Sequence, residues 1–434
     1  MRRLFTAGLL LTGMGLAACS EETDETAPNY HRDVAPLVQQ KCGGCHVEGG
    51  IGPMPLQTYA DVFKNRDAIR AAVESRTMPP WMPSNECNQY HGDSSLKDEQ
   101  IQLLSRWVSE GGREGKASES PGVKAPPAGG LSRVDVRVSM KEPYTPKTGD
   151  DYRCFIMDWS VDQTAFITGF QAEPGVASIV HHVIAYLVPP AAVSIYQQLD
   201  NNEAGPGYTC FGGSGAGQAA FLGAWAPGTV GSDFPEGTGI KVAPGSKVVL
   251  QVHYSTTGHG EHSHGLTAAA EIPADTSALA FKVDSTVTKQ AVVMAFLNPA
   301  WFQKKMNIPA GQTDVVHRYS SDVTKSVGFA TGGLFKNNMP LTFHMVTPHM
   351  HKLGTRIRLD MTRADTSNQC LMEVPRWNFN HQNNYKLLQA QVINPGDTLN
   401  LECHWDNSAP GAVDSNWGET TSDEMCMSFL YITQ

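Results

Sequence analysis

The sequence changes its apolar periodicity once, and that change limits what the chain can fold into. Before residue 113 the spacing is helical. KDEQIQLLSRWVSEGG sets Ile101, Leu104 and Val108 on one stripe, with Trp107 alongside, and stops at Gly111 and Gly112. A second helix is expected upstream, capped by Asp33 and carrying Val34, Leu37 and Val38 into KCGGCHVEGG. From residue 131 the pattern is alternation, as in RIRLDM (356–361), which turns apolar side chains to one face of a strand. Between them REGKASESPGVKAPPAGG (113–130) is rich in Pro, Gly and Ser with almost no apolar period, and is read as a linker. At 434 residues the chain exceeds the usual single domain. The expectation is a multidomain protein, with a small all-α domain over 29–112 followed by a mostly β region. Three strands there follow proline and glycine turns, in APGSKVVLQVHY, IPAGQTDVV and INPGDTLNLECHW, and the first and third place a His at the same distance from the proline. Two similar β-sandwich halves, 131–288 and 289–434, would explain that echo.

A net charge of -10, with no basic cluster beyond the first residues, argues against a nucleic-acid partner. MRRLFTAGLLLTGMGLAACSEE has Arg2 and Arg3 ahead of an apolar run too short to span a bilayer, which reads as an export signal. Its end, LAAC, resembles a bacterial lipoprotein box. That implies cleavage after residue 18, lipidation of Cys19, a tether over 19–28 and, with Ser20 next, anchoring at the outer membrane of a Gram-negative bacterium, on its periplasmic or surface face. An ordinary secretory signal with Cys19 incidental is the plainer alternative. Export matters for the nine cysteines, because an oxidising compartment makes any pair a candidate disulfide.

C-x-x-C-H in an exported chain is the attachment signal of a c-type haem: two thiols add to the haem vinyl groups and the adjacent His reaches the iron. Cys42 and Cys45 are the expected anchors of one covalently bound haem c and His46 its proximal ligand; the alternative is a disulfide or zinc pair. A thioether is the common distal ligand and raises the potential. RTMPPWMP offers Met78 and Met82. Met78 is preferred, because this stretch resembles the MPPW segment of small haem domains fused to copper enzymes; Met54 in GPMPLQTY is the runner-up, and packing is the ordinary role of such residues.

The β region holds four further segments. In VTPHMHKLG, His349 and His351 stand two apart, so a strand directs both imidazoles to one face. His181 and His182 in ASIVHHVIAYLV are adjacent, and joint ligation there requires a strand end or a bulge. His253 in VVLQVHYST reads singly as a satisfied interior histidine. Met425 in TTSDEMCM would be core on composition alone, but thioether with imidazole suits a copper ion that cycles between Cu(I) and Cu(II). His259, His262 and His264, in TTGHGEHSHGL, read as a solvated loop rather than a copper-capture site, and His404 as structural.

In order and approximate spacing these segments resemble the catalytic core of the copper type II monooxygenases, the peptidylglycine alpha-hydroxylating and dopamine beta-monooxygenase family. The resemblance runs over roughly 133–434, with HMHKLG standing for the family's HTHHLG. It implies two nine-stranded β-sandwich (jelly-roll-like) domains, each holding one of two copper ions across an open cleft. Carried over residue by residue, it gives His181, His182 and His253 to an electron-storing copper and His349, His351 and Met425 to the copper that binds oxygen. It also implies disulfides Cys154 with Cys210 and Cys403 with Cys426; Cys87 and Cys370 have no family counterpart and stay open between pairing with each other and remaining free. The family's peptide-hydroxylating enzymes anchor a carboxylate with an Arg two residues before the HxH and a Tyr four after the ligand Met. Here those positions are Thr347 and Phe429, so a less polar substrate is expected.

The resulting expectation is a copper-dependent monooxygenase that hydroxylates an sp3 C–H bond of a small organic substrate with O2. Electrons would come from an external donor, ascorbate or a redox protein, through the haem. Two rivals stand beside it: a lipid-anchored electron-transfer or copper-handling protein without hydroxylase activity, and an oxidase whose electrons leave through the haem.

Overall fold

The structure is a computed structural model that describes residues 26–48, 52, 54–122, 130–147, 149–210, 213–225, 229, 231–256, 272–379, 381–418 and 423–434. Cys19 with its signal, and His259, His262 and His264, lie outside the described residues.

The N-terminal unit is helical. A short π-helical stretch, Tyr30–Val34, runs into α1 (Ala35–Lys41), and α2 (Tyr59–Lys64), α3 (Arg66–Glu74) and α4 (Asp98–Ser109) follow. The cap is Asn29 rather than the expected Asp33: the Asn29 side chain accepts from Arg32 N at 2.9 Å, and Asp33 reaches back to Asn29 N at 2.8 Å. Both ends of a reciprocal cap are therefore present, with the cap four residues earlier than the sequence suggested. Val34, Leu37 and Val38 pack on Val62, Ile69, Leu104 and Trp107. Part of the expected linker belongs to this unit. Arg113 O accepts from Tyr30 N and from the Trp107 indole, Glu114 O accepts from His31 N, and Glu119 accepts from the Asn29 amide. Polar backbone bonds hold this stretch, and apolar periodicity does not register them.

The remainder is mostly β, consistent with β-sandwich domains. In chain order the strands are β1 (Val136–Ser139), β2 (Asp150–Asp158), β3 (Ala165–Glu173), β4 (Val180–Val188), β5 (Tyr208–Thr209), β6 (Ala220–Trp225), β7 (Ser232–Asp233), β8 (Thr238–Val242), β9 (Lys247–Ser255) and β10 (Ala278–Asp284). They continue as β11 (Lys289–Phe296), β12 (Val315–Ser321), β13 (Leu341–Met350), β14 (Gly354–Thr362), β15 (Asn368–Val374), β16 (Tyr385–Ile393), β17 (Thr398–Trp405) and β18 (Cys426–Thr433). The expected strand RIRLDM lies in β14, with Ile357, Leu359 and Met361 buried.

Instead of two separate nine-stranded sandwiches, one nine-stranded sheet runs through both halves in the order β1-β10-β3-β8-β11-β18-β13-β16, with β7 beside β3. The joint is the parallel pair β8–β11. A five-stranded sheet, β5-β2-β9-β4-β6, covers the first half and a four-stranded sheet, β12-β17-β14-β15, the second. Met345 and Tyr431, from strands of the second half, are buried in the core of the first, so the two cores meet across the shared sheet.

Among the described residues six cysteines form three disulfides: Cys154–Cys210, Cys403–Cys426 and Cys87–Cys370. The last fastens the helical unit to the second β half. Around it Ser84 N donates to Glu373 O, His91 N to Lys386 O and Leu388 N to Gln89 O, while Met82 and Tyr90 are buried in the second core. The segment so attached covers β15 and β16, the edge strands of two different sheets, whose unpaired backbone groups would otherwise face water.

Candidate metal centres

His181, His182 and His253 come together. Their ligating atoms all lie within 4.8 Å of one another, and Nδ1 of His182 is 3.3 Å from Nδ1 of His181 and 3.4 Å from Nδ1 of His253. Nitrogens about 2 Å from one shared ion stand roughly this far apart, so the donor set fits a metal. Neighbouring strands explain the convergence. β4 pairs with β9, His182 is opposite His253, and the register shifts between Val180 and His182. That irregularity is the bulge which two adjacent histidines need to serve one ion. His253, only 1% exposed, donates from Nε2 to Asp150 Oδ1 at 2.9 Å, which puts its lone pair on Nδ1. Tyr152 stacks on the same ring at 4.1 Å, 8° from parallel. Burial, then the charge of His181, pushes His253 down to about 4. His182 is held well below the usual histidine range by burial and by His253, His181, His349 and His351. Both shifts favour the neutral imidazole, the form that binds metal.

His349 lies on β13 and His351 directly after it. Their rings are 5.2 Å apart and nearly perpendicular. His349 donates from Nδ1 to Gln382 Oε1 at 2.6 Å, and His351 from Nδ1 to Asp423 O at 3.0 Å. Both lone pairs are therefore on Nε2. Burial, then His351, drives His349 down to about 3. β13 pairs with β18 in a register that sets His349 opposite Met427 and Met350 opposite Cys426, so Met425 is the next residue across from His351. Beside it Glu424 is fully buried and accepts from His351 N, Leu353 N and the Trp405 indole. Burial pushes its carboxyl up to about 7. With the Cys403–Cys426 bridge on its other side, Met425 is held from both neighbours. Two imidazoles with a thioether at hand fit copper better than zinc.

The expected open cleft between the two clusters is spanned by a side chain. Phe379 stacks on His181 with centroids 5.4 Å apart and meets His351 edge-on at 5.9 Å. Nearby, at the seam of the two halves, lies a cavity of about 50 Å³, lined among others by Phe221, Trp225, Val293, Met345, Thr347, Asn384, Phe429 and Tyr431. No acid, lysine, arginine or histidine is among its described lining residues. Thr347 and Phe429 face each other across β13 and β18, Thr347 donates to Asn384 Oδ1, and Phe429 stacks on Phe221 at 4.3 Å. Thr347 precedes His349 by two residues, about 6.5 Å along the same face of the strand.

Cys42 and Cys45 are not bonded to each other. Burial, with Cys45 beside it, pushes the Cys42 thiol up to about 11, and burial raises Cys45. His46 donates from Nδ1 to Met54 O at 2.9 Å, and a Cβ at Gly52 would stand 2.7 Å from that nitrogen. Met54 packs on the helical core beside Cys42, whereas Met78 is half-buried where α3 gives way to the docked segment. Met82 is buried in the second β core, with its sulfur 3.3 Å from Asn378 N. His404 pairs with Asp314 and Glu402 on the outer sheet, a structural role.

Sequence reasoning missed Asp150, Tyr152, Phe379 and Gln382, which orient or touch the histidines. Only Glu424 had a signal, its place beside Met425.

Residues 292–433 match the family model for the copper type II ascorbate-dependent monooxygenase C-terminal domain. The chain is 26% identical over 217 residues to DBH-like monooxygenase protein 1 of Gallus gallus, covering 48% of this chain and 32% of that protein. It is 30% identical over 128 residues to peptidylglycine alpha-amidating monooxygenase of Rattus norvegicus, and 29% identical over 128 residues to the Mus musculus protein of that name; each match covers 29% of this chain and 12% of the relative. The chain thus spans about a third or less of the length of these relatives. The region that carries His349, His351 and Met425 is similar to the C-terminal domain of the copper type II ascorbate-dependent monooxygenases.

Proposed function

We propose that the protein is a copper-dependent monooxygenase that hydroxylates an sp3 C–H bond of an uncharged organic substrate with O2, drawing electrons from an external donor through a covalently bound haem c. The observation that carries this reading is the pair of histidine clusters set on either side of Phe379, with a cavity nearby whose described lining residues carry no charge. His181, His182 and His253 would hold one copper and His349, His351 and Met425 the other. Copper, when bound, supplies one-electron redox chemistry and oxygen activation. The chain's own part is to keep the donors oriented and to seat the substrate.

Thr347 and Phe429 support an uncharged substrate: an anionic group in that cavity would be desolvated with no cation to pair with among the described lining residues. A volume of about 50 Å³ has room for roughly three or four waters, and so for the reacting end of a substrate rather than its whole.

Cys42, Cys45 and His46 fit a covalently attached haem, with thiols unbonded to each other and the imidazole lone pair on Nε2. Met78 would be its distal ligand, and the haem supplies single electrons. Lipidation at Cys19 would tether the protein at the outer membrane.

The testing experiment is Met425→Ala. Hydroxylation should be abolished while haem reduction stays intact, read by product analysis and the haem absorption band in one sample. Full turnover by that variant would sink the assignment, and absence of product with every substrate tried would leave electron transfer or copper handling.

A further inference from the structure

The helical unit is attached to the second β half at the stretch that reaches both histidine clusters. After β15 the chain runs through residues 376–379 before returning to β16. Arg376 donates to Ser75 O of the helical unit. The Trp377 indole donates to His351 O at 3.1 Å. Asn378 N stands 3.3 Å from the sulfur of Met82, and Phe379 lies between His181 and His351. Four consecutive residues thus touch the helical unit, one cluster, the helical unit again, and both clusters. Just N-terminal to them β15 is tied by the Cys87–Cys370 bridge, while Tyr90 donates to Leu371 O.

Among the described residues no strand pairing joins the two clusters directly: one rises from the five-stranded sheet, the other from the nine-stranded sheet. Their separation depends on what packs between them. A phenyl ring is rigid and has two faces and an edge to offer, and here one face meets an imidazole of one cluster and the ring meets an imidazole of the other.

We propose that Phe379 is a positioning residue that sets the spacing of the two histidine clusters, and that Met82 of the docked helical unit holds it there. This rests on the copper reading above. The helical unit then acts on the metal centres through packing as well as through any electrons it delivers: a change at the dock is felt as a change in the distance between the two ions.

The test is pulsed dipolar electron paramagnetic resonance on the full chain loaded with Cu(II), which reads the ion–ion distance directly and needs no substrate. The unsubstituted protein and Phe379→Tyr should each give one narrow distance distribution. Phe379→Ala should give a shifted and broadened one, and Met82→Ala a broadened one, with copper content and circular dichroism retained in all. Should Phe379→Ala lose copper or fold poorly, Phe379→Leu, which keeps an apolar filler but not the ring, replaces it with the same expectation. An unchanged distribution in the Phe379 variants would overturn the spacing role. A change there without one in Met82→Ala would overturn the link to the helical unit. Fewer than two coppers in the unsubstituted protein would instead overturn the copper reading on which both depend.

Discussion

In the first cluster three imidazoles converge through Nδ1 from two neighbouring strands of one sheet, whereas in the second two imidazoles leave the end of a single strand with Nδ1 already donated. The same side chain offers opposite nitrogens in the two places. What selects the nitrogen is the partner of the other one: the Asp150 carboxylate for His253, the Gln382 amide and the Asp423 carbonyl for His349 and His351. The first cluster is also complete within its sheet, while the second borrows its thioether from a neighbouring strand end anchored by a disulfide. The difference teaches that a preassembled site depends on strand register, and a composite site on whatever fixes the loops around it.

Removing a ligand should have the largest effect. Because His182 Nδ1 is the nitrogen closest to both others, His182→Ala should lower copper affinity of the first cluster by well over 100-fold and leave the second loaded, so that copper per chain falls by one on elemental analysis. Retention of both ions would break the picture of a three-histidine site.

Next comes the bridge. Replacing Cys403 and Cys426 together by Ser should cost about 2–4 kcal/mol in denaturant unfolding, and should weaken copper at the second cluster selectively, because Met425 adjoins Cys426. Loss of stability with both coppers equally affected would show that the second cluster does not depend on the bridge.

The orienting partners come third. Asp150→Asn should weaken metal binding at the first cluster, and Gln382→Leu at the second, by about 10- to 100-fold each under competition with a chelator. Crossed effects, with Asp150 acting on the second cluster, would contradict the assignment of partners. The smallest change is expected from Tyr152→Leu, which removes one stacked ring worth about 0.5–1.5 kcal/mol and so shifts first-cluster affinity only several-fold.

Much of this was legible without coordinates. α4 and β14 lie where periodicity placed them, because local apolar spacing reports the face that each element buries. The requirement for a bulge at His181 and His182 followed from strand geometry, and the register shift is there. The Cys87–Cys370 pair was left open because 283 residues separate its members and no local pattern encodes which distant thiol a chain will meet. The docked stretch around Met82 read as haem-domain sequence, although the side chain is buried in the second β core; a methionine carries no mark of which core it will fill. The shared nine-stranded sheet was missed for a related reason, since a parallel pair such as β8–β11 looks in sequence like any two short strands.

By itself the sequence determined residue chemistry and local direction: a helical unit ahead of a β region, two imidazoles on one strand face, and two thiols three positions apart next to a histidine. Those follow from periods of 3.6 and 2 and from side-chain identity, which act over a few residues. Only the tertiary structure decided which nitrogen each histidine presents, that one phenyl ring separates the clusters, and that the helical unit is fastened beside that ring. These depend on contacts between residues tens to hundreds of positions apart, where sub-ångström packing and sheet register, rather than any local preference, select the partner.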